Sequence, residues 1–267
     1  MKRGMASKKN KNKLNFEDLF DDDDLYGSSI GTSRSCGGAR DNDHTPVRRE
    51  PREPRITSPR SDAQRAYHAA LQGPASIVVC AGPAGTGKTM TAGEYAIKFL
   101  EEGRYKRVLL VRPAVSTEDL GYLPGTILEK LEPYLRPLYD VFESFYEKNI
   151  FAQMIDRGVV EPCALAYCRG RTFKHAFIIG DEMQNASPDQ LKMLITRLGT
   201  GSKLVLTGDP EQHDQAYGKM NGLDDFITRW TRYQGANPAV DNVKILQLDR
   251  SDIMRHPAIE HVLAAYA

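Results

Sequence analysis

Apolar residues in this chain gather in short unbroken runs, separated by stretches with helical spacing. The runs fall at 76–81, 107–113, 176–182, 203–209 and 243–248. Continuous runs of this length are what strands covered on both faces look like, because neither side needs polar residues. Between them, 62–71 and 90–100 repeat apolar residues every three or four positions and predict helices, the first ending before Gly73-Pro74 and the second near Gly103. The stretch 127–146 is amphipathic but holds Pro133 and Pro137, which predicts two helical pieces. Ser187-Pro188-Asp189-Gln190 combines an N-cap serine, a first-turn proline and a glutamine three residues after the cap. That predicts a helix from there to Leu198, stopped by Gly199. A short edge strand is expected at 159–162, and a last helix at 257–266. Strands alternating with helices imply an α/β fold, a three-layer parallel sheet of about five strands with its chemistry at the carboxyl ends of the strands.

The first run leads directly into chemistry. Gly82-Pro83-Ala84-Gly85-Thr86-Gly87-Lys88-Thr89 reads Gly-x-x-x-x-Gly-Lys-Thr, between a strand and a helix. Glycines let successive backbone N–H groups turn toward one anion, and the helix N-terminus beneath adds its dipole. Lys88 is placed for the β- and γ-phosphates, and the Thr89 hydroxyl for Mg²⁺. The third run ends in Asp181-Glu182. A carboxylate there can hold Mg²⁺, and its neighbour can deprotonate a water. The fourth ends in Thr207-Gly208-Asp209-Pro210-Glu211-Gln212, where Gln212 can reach a γ-phosphate and Asp209 can stand behind the metal. Gln64 offers a donor and an acceptor that match an adenine edge.

Composition narrows the picture little. The 267 residues carry a net charge of +1. Residues 1–60 hold 13 Lys and Arg against 10 Asp and Glu, so the remainder is close to neutral and sets up no global field for a polyanion. Residues 1–55 read as a disordered, charged tail, and 56–267 as one ATPase domain. Lys8–Lys13 is a basic block read as a solvated tail, and 14–20 has the spacing of a short partner-binding segment. Cys163 and Cys168 lack the second pair a zinc site needs, which points to free thiols in a reducing cytoplasm. No apolar run approaches the ~18 residues of a membrane span.

Taken in order, these motifs resemble the PhoH-like P-loop ATPases, a family similar to one core domain of superfamily 1 helicases. The likeness covers about 57–267 and rests on 82–89, Val111-Arg112-Pro113-Ala114-Val115, Gly121-Tyr122-Leu123-Pro124-Gly125, 133–140, Arg169-Gly170-Arg171-Thr172-Phe173, Asp181-Glu182-Met183-Gln184-Asn185, 191–199, 207–214 and 252–257. It implies a RecA/helicase-like core that binds and hydrolyses ATP, with Gln64 on the adenine. It implies Arg255 at the transition-state charge, ahead of Arg197, Arg112 and Arg171. Helicases of that superfamily close two such domains around one ATP. With 18 residues after Asp249, the expectation here is a homo-oligomer, a ring among the options, acting on single-stranded RNA or DNA. The alternative is a nucleotide-gated protein-binding module that hydrolysis resets. Gly180 stands where the family usually has a larger apolar residue.

Overall fold

The computed structural model describes residues 55–113, 127–212, 221–254 and 265, and the side chains of 127–131 are outside that description. The sheet holds β1 (Ile77–Ala81), β2 (Arg107–Arg112), β3 (Val160–Ala164), β4 (Ala176–Gly180), β5 (Lys203–Gly208) and β6 (Val243–Gln247). Their order is β3-β2-β4-β5-β1-β6, and every pairing is parallel. The sixth strand relative to the expected five is β3, the edge strand at 159–162 shifted by one to two residues. As an edge strand it tolerates Pro162, which has no N–H to give a second neighbour.

Each strand sends alternate residues to opposite faces. Val78, Cys80, Val108, Leu110, Phe177, Ile179 and Val205 enter one core with Tyr67, Phe99 and Phe142. Val79, Ala81, Leu109, Val111, Ile178, Leu204 and Leu206 enter the other with Leu191, Leu194 and Leu223. The first core is covered by α1 (Asp62–Gln72), α2 (Lys88–Glu101), α3 (Ile127–Phe145) and α4 (Lys148–Asp156). The second is covered by α5 (Pro188–Ile195) and α6 (Gly222–Ala236). Two apolar faces per strand explain why the runs show no alternation in the sequence. Among the described residues no helix is long and apolar enough to cross a membrane.

Three expectations need correction. The stretch 127–146 is one helix, α3, with both prolines inside it. Pro133 and Pro137 sit on its exposed side, where the carbonyls they leave unpaired can turn to water. The opposite face buries Leu135, Leu138 and Phe142, and that burial holds the helix together. Secondly, α5 ends at Ile195 rather than Leu198. The chain from Arg197 to Gly199 leaves the helix to pair with Phe173: Phe173 N–H donates to Arg197 O at 2.9 Å and Gly199 N–H to Phe173 O at 2.8 Å. Gly199 is therefore needed for close approach, since a Cβ there would stand 2.5 Å from Phe173 O. Thirdly, α4 and α6 have no counterpart among the expected helices, because both carry many polar residues on an exposed side. The capping box of α5 is present, with Ser187 Oγ accepting from Gln190 N–H at 3.3 Å and Gln190 Oε1 accepting from Ser187 N–H at 2.9 Å. The segment 121–125, the tail before residue 55 and the last helix, Ala265 apart, lie outside the described residues.

Candidate functional site

Because all strands are parallel, Ala81, Arg112, Gly180, Gly208 and Gln247 end at one edge. Strand β5 lies between β1 and β4, so the loop after β1 and the carboxylates after β4 flank it. The loop of 82–87 leaves β1 with left-handed φ at Gly82 (149°), Gly85 (87°) and Gly87 (85°). At Gly82 the constraint is also one of space: a Cβ would lie 2.3 Å from Leu248 O. Gly87 then caps α2, whose first residues are Lys88 and Thr89.

Lys88 is 8% exposed and its Nζ donates to Gly82 O at 2.6 Å, Pro83 O at 2.7 Å and Thr86 Oγ1 at 3.4 Å. Burial lowers its pKa below the ordinary lysine value, while Cys80 and the carboxylates of Asp209, Glu182 and Asp181 pull it back up. The ammonium thus stands beside the carboxylate side of the site. Across 92 residues of sequence, the Thr89 hydroxyl donates to Asp181 Oδ1 at 2.7 Å. Thr207, fully buried on β5, donates to the same oxygen at 2.7 Å. Asp181 is 3% exposed, and its other oxygen faces Arg112 NH1 at 3.8 Å.

Glu182 adopts φ 54° and ψ 40°, a left-handed conformation that costs a residue with a Cβ about 1–3 kcal/mol and persists only where surroundings impose it. Its Oε1 lies 3.6 Å from Arg112 NH2, and its Oε2 accepts from Gln184 Nε2 at 2.5 Å. The same Gln184 side chain accepts from Asp209 N–H through Oε1 at 3.1 Å. Gln184 is 3% exposed, and it links the carboxylate after β4 to the first residue after β5. Arg112 also donates to Tyr134 O of α3. In the sequence, Gln184 and Thr207 stand inside motifs with no role of their own, and Arg112 reads only as a rival transition-state arginine. The pairing across strands is what distinguishes them. Gly180 has a local reason as well: a Cβ there would press on Met183 Cε at 2.9 Å and Leu206 Cδ2 at 3.0 Å.

The remaining candidates divide. Gln64, 4% exposed on α1, donates to Asp252 O at 3.0 Å and weakly to Thr86 O at 3.5 Å, and accepts from Arg60 N–H at 2.7 Å. It therefore sits against the phosphate loop. After β6 the chain folds back along this loop: Leu248 N–H donates to Ala81 O and Met254 N–H to Gly85 O, both at 2.8 Å. Arg255, the next residue, lies outside the described residues. Gln212 is exposed beyond β5, its N–H on Asp209 O at 3.1 Å. Arg171 pairs with Glu161 at 2.5 Å, and Arg197 donates to Arg171 O at 3.4 Å, so these two associate with each other and not with Asp181 and Glu182.

Comparison with known proteins adds a family. The model described as PhoH-like protein matches residues 56–267. A PhoH-like protein of Bacillus subtilis is 42% identical over 204 residues, covering 76% of this chain and 61% of the relative. Protein PhoH of Escherichia coli is 35% identical over 225 residues, covering 81% of this chain and 60% of that protein. The chain thus spans about 60% of the length of these relatives. A solved structure concerned with DNA unwinding at forked DNA by two coordinating Pif1 helicases is 15% identical, with a TM-score of 0.35, covering 76% of this chain and 47% of that one. At that identity and score the likeness supports no statement about function.

Proposed function

The chain belongs to the PhoH-like family of P-loop, nucleotide-binding proteins, and on that premise we propose that it binds ATP with Mg²⁺ and hydrolyses it. The observation that carries this reading is the 2.7 Å bond joining Thr89 to Asp181. It unites the phosphate loop and the acidic strand end through hard oxygen donors of the kind Mg²⁺ prefers. Thr89 and Asp181 would hold the ion, which supplies positive charge to the phosphate oxygens. Residues 82–89 cradle the phosphates. Lys88 exchanges the carbonyls of Gly82 and Pro83 for phosphate oxygens, an exchange of one acceptor set for another inside the same loop. Glu182, at the ion's side and 39% exposed at its side chain, takes the proton of the attacking water. Gln212 senses the γ-phosphate, and Arg255 answers the transition-state charge. Gln64 pairs with adenine through the donor and acceptor that now serve Asp252 and Arg60. The process served is remodelling of RNA or DNA in the cytoplasm by a homo-oligomer, with Arg255 reaching a neighbour's nucleotide. Turnover per chain then rises with protein concentration.

Glu182→Gln is the test. The variant should bind ATP, measured with a fluorescent analogue, and lose about 10²–10⁴-fold in turnover. Parental turnover in that variant would remove Glu182 as the base.

A second reading, a nucleotide-gated protein-binding module, has one observation in its favour. Gln184 ties Glu182 to Asp209, so a change at the phosphate can move the segment after β5. Turnover measured with and without single-stranded RNA separates the two: stimulation favours remodelling, and nucleotide-dependent capture of a protein partner with no stimulation favours the switch.

A further inference from the structure

Of the three cysteines among the described residues, two are neighbours. Cys163, near the end of β3, and Cys168, the last residue of the turn Leu165–Cys168, bring their Sγ atoms to 3.7 Å. Ala164 O lies 3.4 Å from the first sulfur and 3.9 Å from the second, so one carbonyl draws both thiols to the same point. Arg171 NH1 donates to Cys163 Sγ at 3.8 Å. That guanidinium is fixed in place. It pairs with both oxygens of Glu161, at 2.5 and 3.0 Å, and lies over the Phe173 ring at 4.8 Å. Two thiols packed only for their bulk need no cation beside them.

The two sulfurs differ in what they face. The Cys168 S–H and the Arg171 cation hold the Cys163 thiol below its ordinary pKa, although burial works against them. The same sulfur contact, with burial, pushes Cys168 up. Cys163 is therefore the thiolate of the pair, and Cys168 donates to it. Cys80, buried in β1, has its thiol pushed up by burial. Among the described residues no group of three or more His, Cys, Asp or Glu gathers to hold a metal, so the two sulfurs are not half of a metal centre. Cys163 is 5% exposed and Cys168 is fully buried, but their cover is thin: Ala166, Tyr167, Arg169 and Gly170 are all exposed. A disulfide needs its sulfurs about 2.0 Å apart, so closure asks this turn for a shift of roughly 1.7 Å. Gly170, at φ 78° with open space around it, is where the turn can give.

We propose that Cys163 and Cys168 form a redox-active dithiol, which a hydroperoxide converts to an intramolecular disulfide and a dithiol reductant restores. The Cys163 thiolate attacks a peroxide oxygen. An S–O bond forms, the O–O bond breaks, and the leaving oxygen takes a proton from solvent as an alcohol or water. Cys163 is then a sulfenic acid. The Cys168 sulfur attacks the Cys163 sulfur. The S–S bond forms, the S–OH bond breaks, and hydroxide leaves with the Cys168 proton as water. In all, the two thiols lose two electrons and two protons, and one peroxide is reduced. Reversibility suits a reducing compartment, where lasting disulfides are rare. In the sheet, Ala164 stands opposite Arg112, so the bond forms one residue from the strand position level with the arginine that faces Asp181 and Glu182. The inference does not rest on the ATPase reading.

Cys163 and Cys168 fall in one tryptic peptide, 158–169, which makes the test direct. The reduced full chain is treated with hydrogen peroxide, unfolded in N-ethylmaleimide, digested and weighed by mass spectrometry. Peptide 158–169 should be lighter by two hydrogens and carry no maleimide, while the Cys80 peptide carries one. Dithiothreitol added before the maleimide should put two on 158–169. Cys168→Ser should stop at the sulfenic acid on Cys163, trapped by dimedone, and Cys163→Ser should leave Cys168 without an adduct. Arg171→Gln should slow oxidation about three- to tenfold, the thiolate lost being partly offset by the nucleophilicity gained. Arg171→Lys should restore most of the rate, which separates charge from packing. Two maleimides on 158–169 after peroxide overturn the proposal with no variant needed. Equal oxidation of Cys80 overturns it too, as does dimedone on Cys168 in place of Cys163. Glu182→Gln, which decides the ATPase reading, should leave all of these results unchanged.

Discussion

Two buried lysines at opposite ends of the strands show how one chemistry serves two purposes. Lys88, at the edge where the strands end, is 8% exposed and gives its ammonium protons to Gly82 O, Pro83 O and Thr86 Oγ1. Lys203, where β5 begins, is 3% exposed and gives its protons to Ala70 O at 3.1 Å, Leu71 O at 2.7 Å and Gly73 O at 2.8 Å. Both have pKa values pushed down by burial. Their surroundings differ in sign. Three carboxylates favour the charge on Lys88, whereas Arg104 opposes the charge on Lys203. The acceptors differ too. Those of Lys88 belong to a glycine loop that can trade them for phosphate, and those of Lys203 are the last carbonyls of α1 and its cap, where a cation completes a helix end. On the proposed reading, a buried lysine becomes a ligand site or a structural pin according to what else it faces.

The strongest way to break this contrast is at Lys88. Lys88→Met should reduce ATP turnover by about 10²–10³-fold, the usual cost of removing one fixed donor to developing charge, with the melting temperature nearly unchanged. Unfolding of this variant would make Lys88 a structural pin as well and end the distinction. Lys203→Met should do the reverse. Orphaning α1 carbonyls costs about 1–3 kcal/mol, lowering the melting temperature by about 2–4 °C per kcal/mol in a domain of this size. Turnover per folded molecule at low temperature should hold. Gly82→Ala sharpens the comparison from the loop side: with φ at 149° and Leu248 O at 2.3 Å from the new Cβ, the loop must shift, and ATP affinity should fall more than stability. Isothermal titration alongside thermal melts reads both.

The smallest expected effect is in pH. Lys203 is held down at about 8, against about 10.4 for a free lysine, so the unfolded chain binds the extra proton between those values. Stability contributed at this position therefore rises with pH across that window. The difference in unfolding free energy, parent minus Lys203→Met, should grow from pH 8 to pH 10 in urea melts. A flat difference would mean that the three carbonyls keep Lys203 protonated.

Much of the site is legible in the order of residues. Gly82 to Thr89 are legible in spacing, because glycines at 82, 85 and 87 followed by Lys88-Thr89 between a strand and a helix form a local pattern that needs no distant partner. Asp181 and Glu182 are readable because they end an apolar run downstream of such a loop, 92 residues after Thr89 in the case of Asp181. The helices α4 and α6 are less legible, since their apolar faces are narrow and periodicity fades when most positions are exposed. Pro133 and Pro137 mislead for another cause: each costs the helix a backbone hydrogen bond, but the burial of Leu135, Leu138 and Phe142 on the opposite face outweighs that cost, and burial is decided by tertiary packing.

By itself, then, the sequence determined the parallel α/β sheet, the phosphate loop and the acidic strand end, all of which depend on contacts between near neighbours or on simple period. Tertiary structure alone decided that β5 separates β1 from β4, and so that Thr207 shares Asp181 with Thr89. It also decided that Gln184 spans Glu182 and Asp209, that Arg112 faces both carboxylates, and that Lys203 closes α1. These are meetings of groups that lie far apart along the chain or on different strands. Local propensity contains no term for them; strand order and the packing of two cores bring them within hydrogen-bond reach.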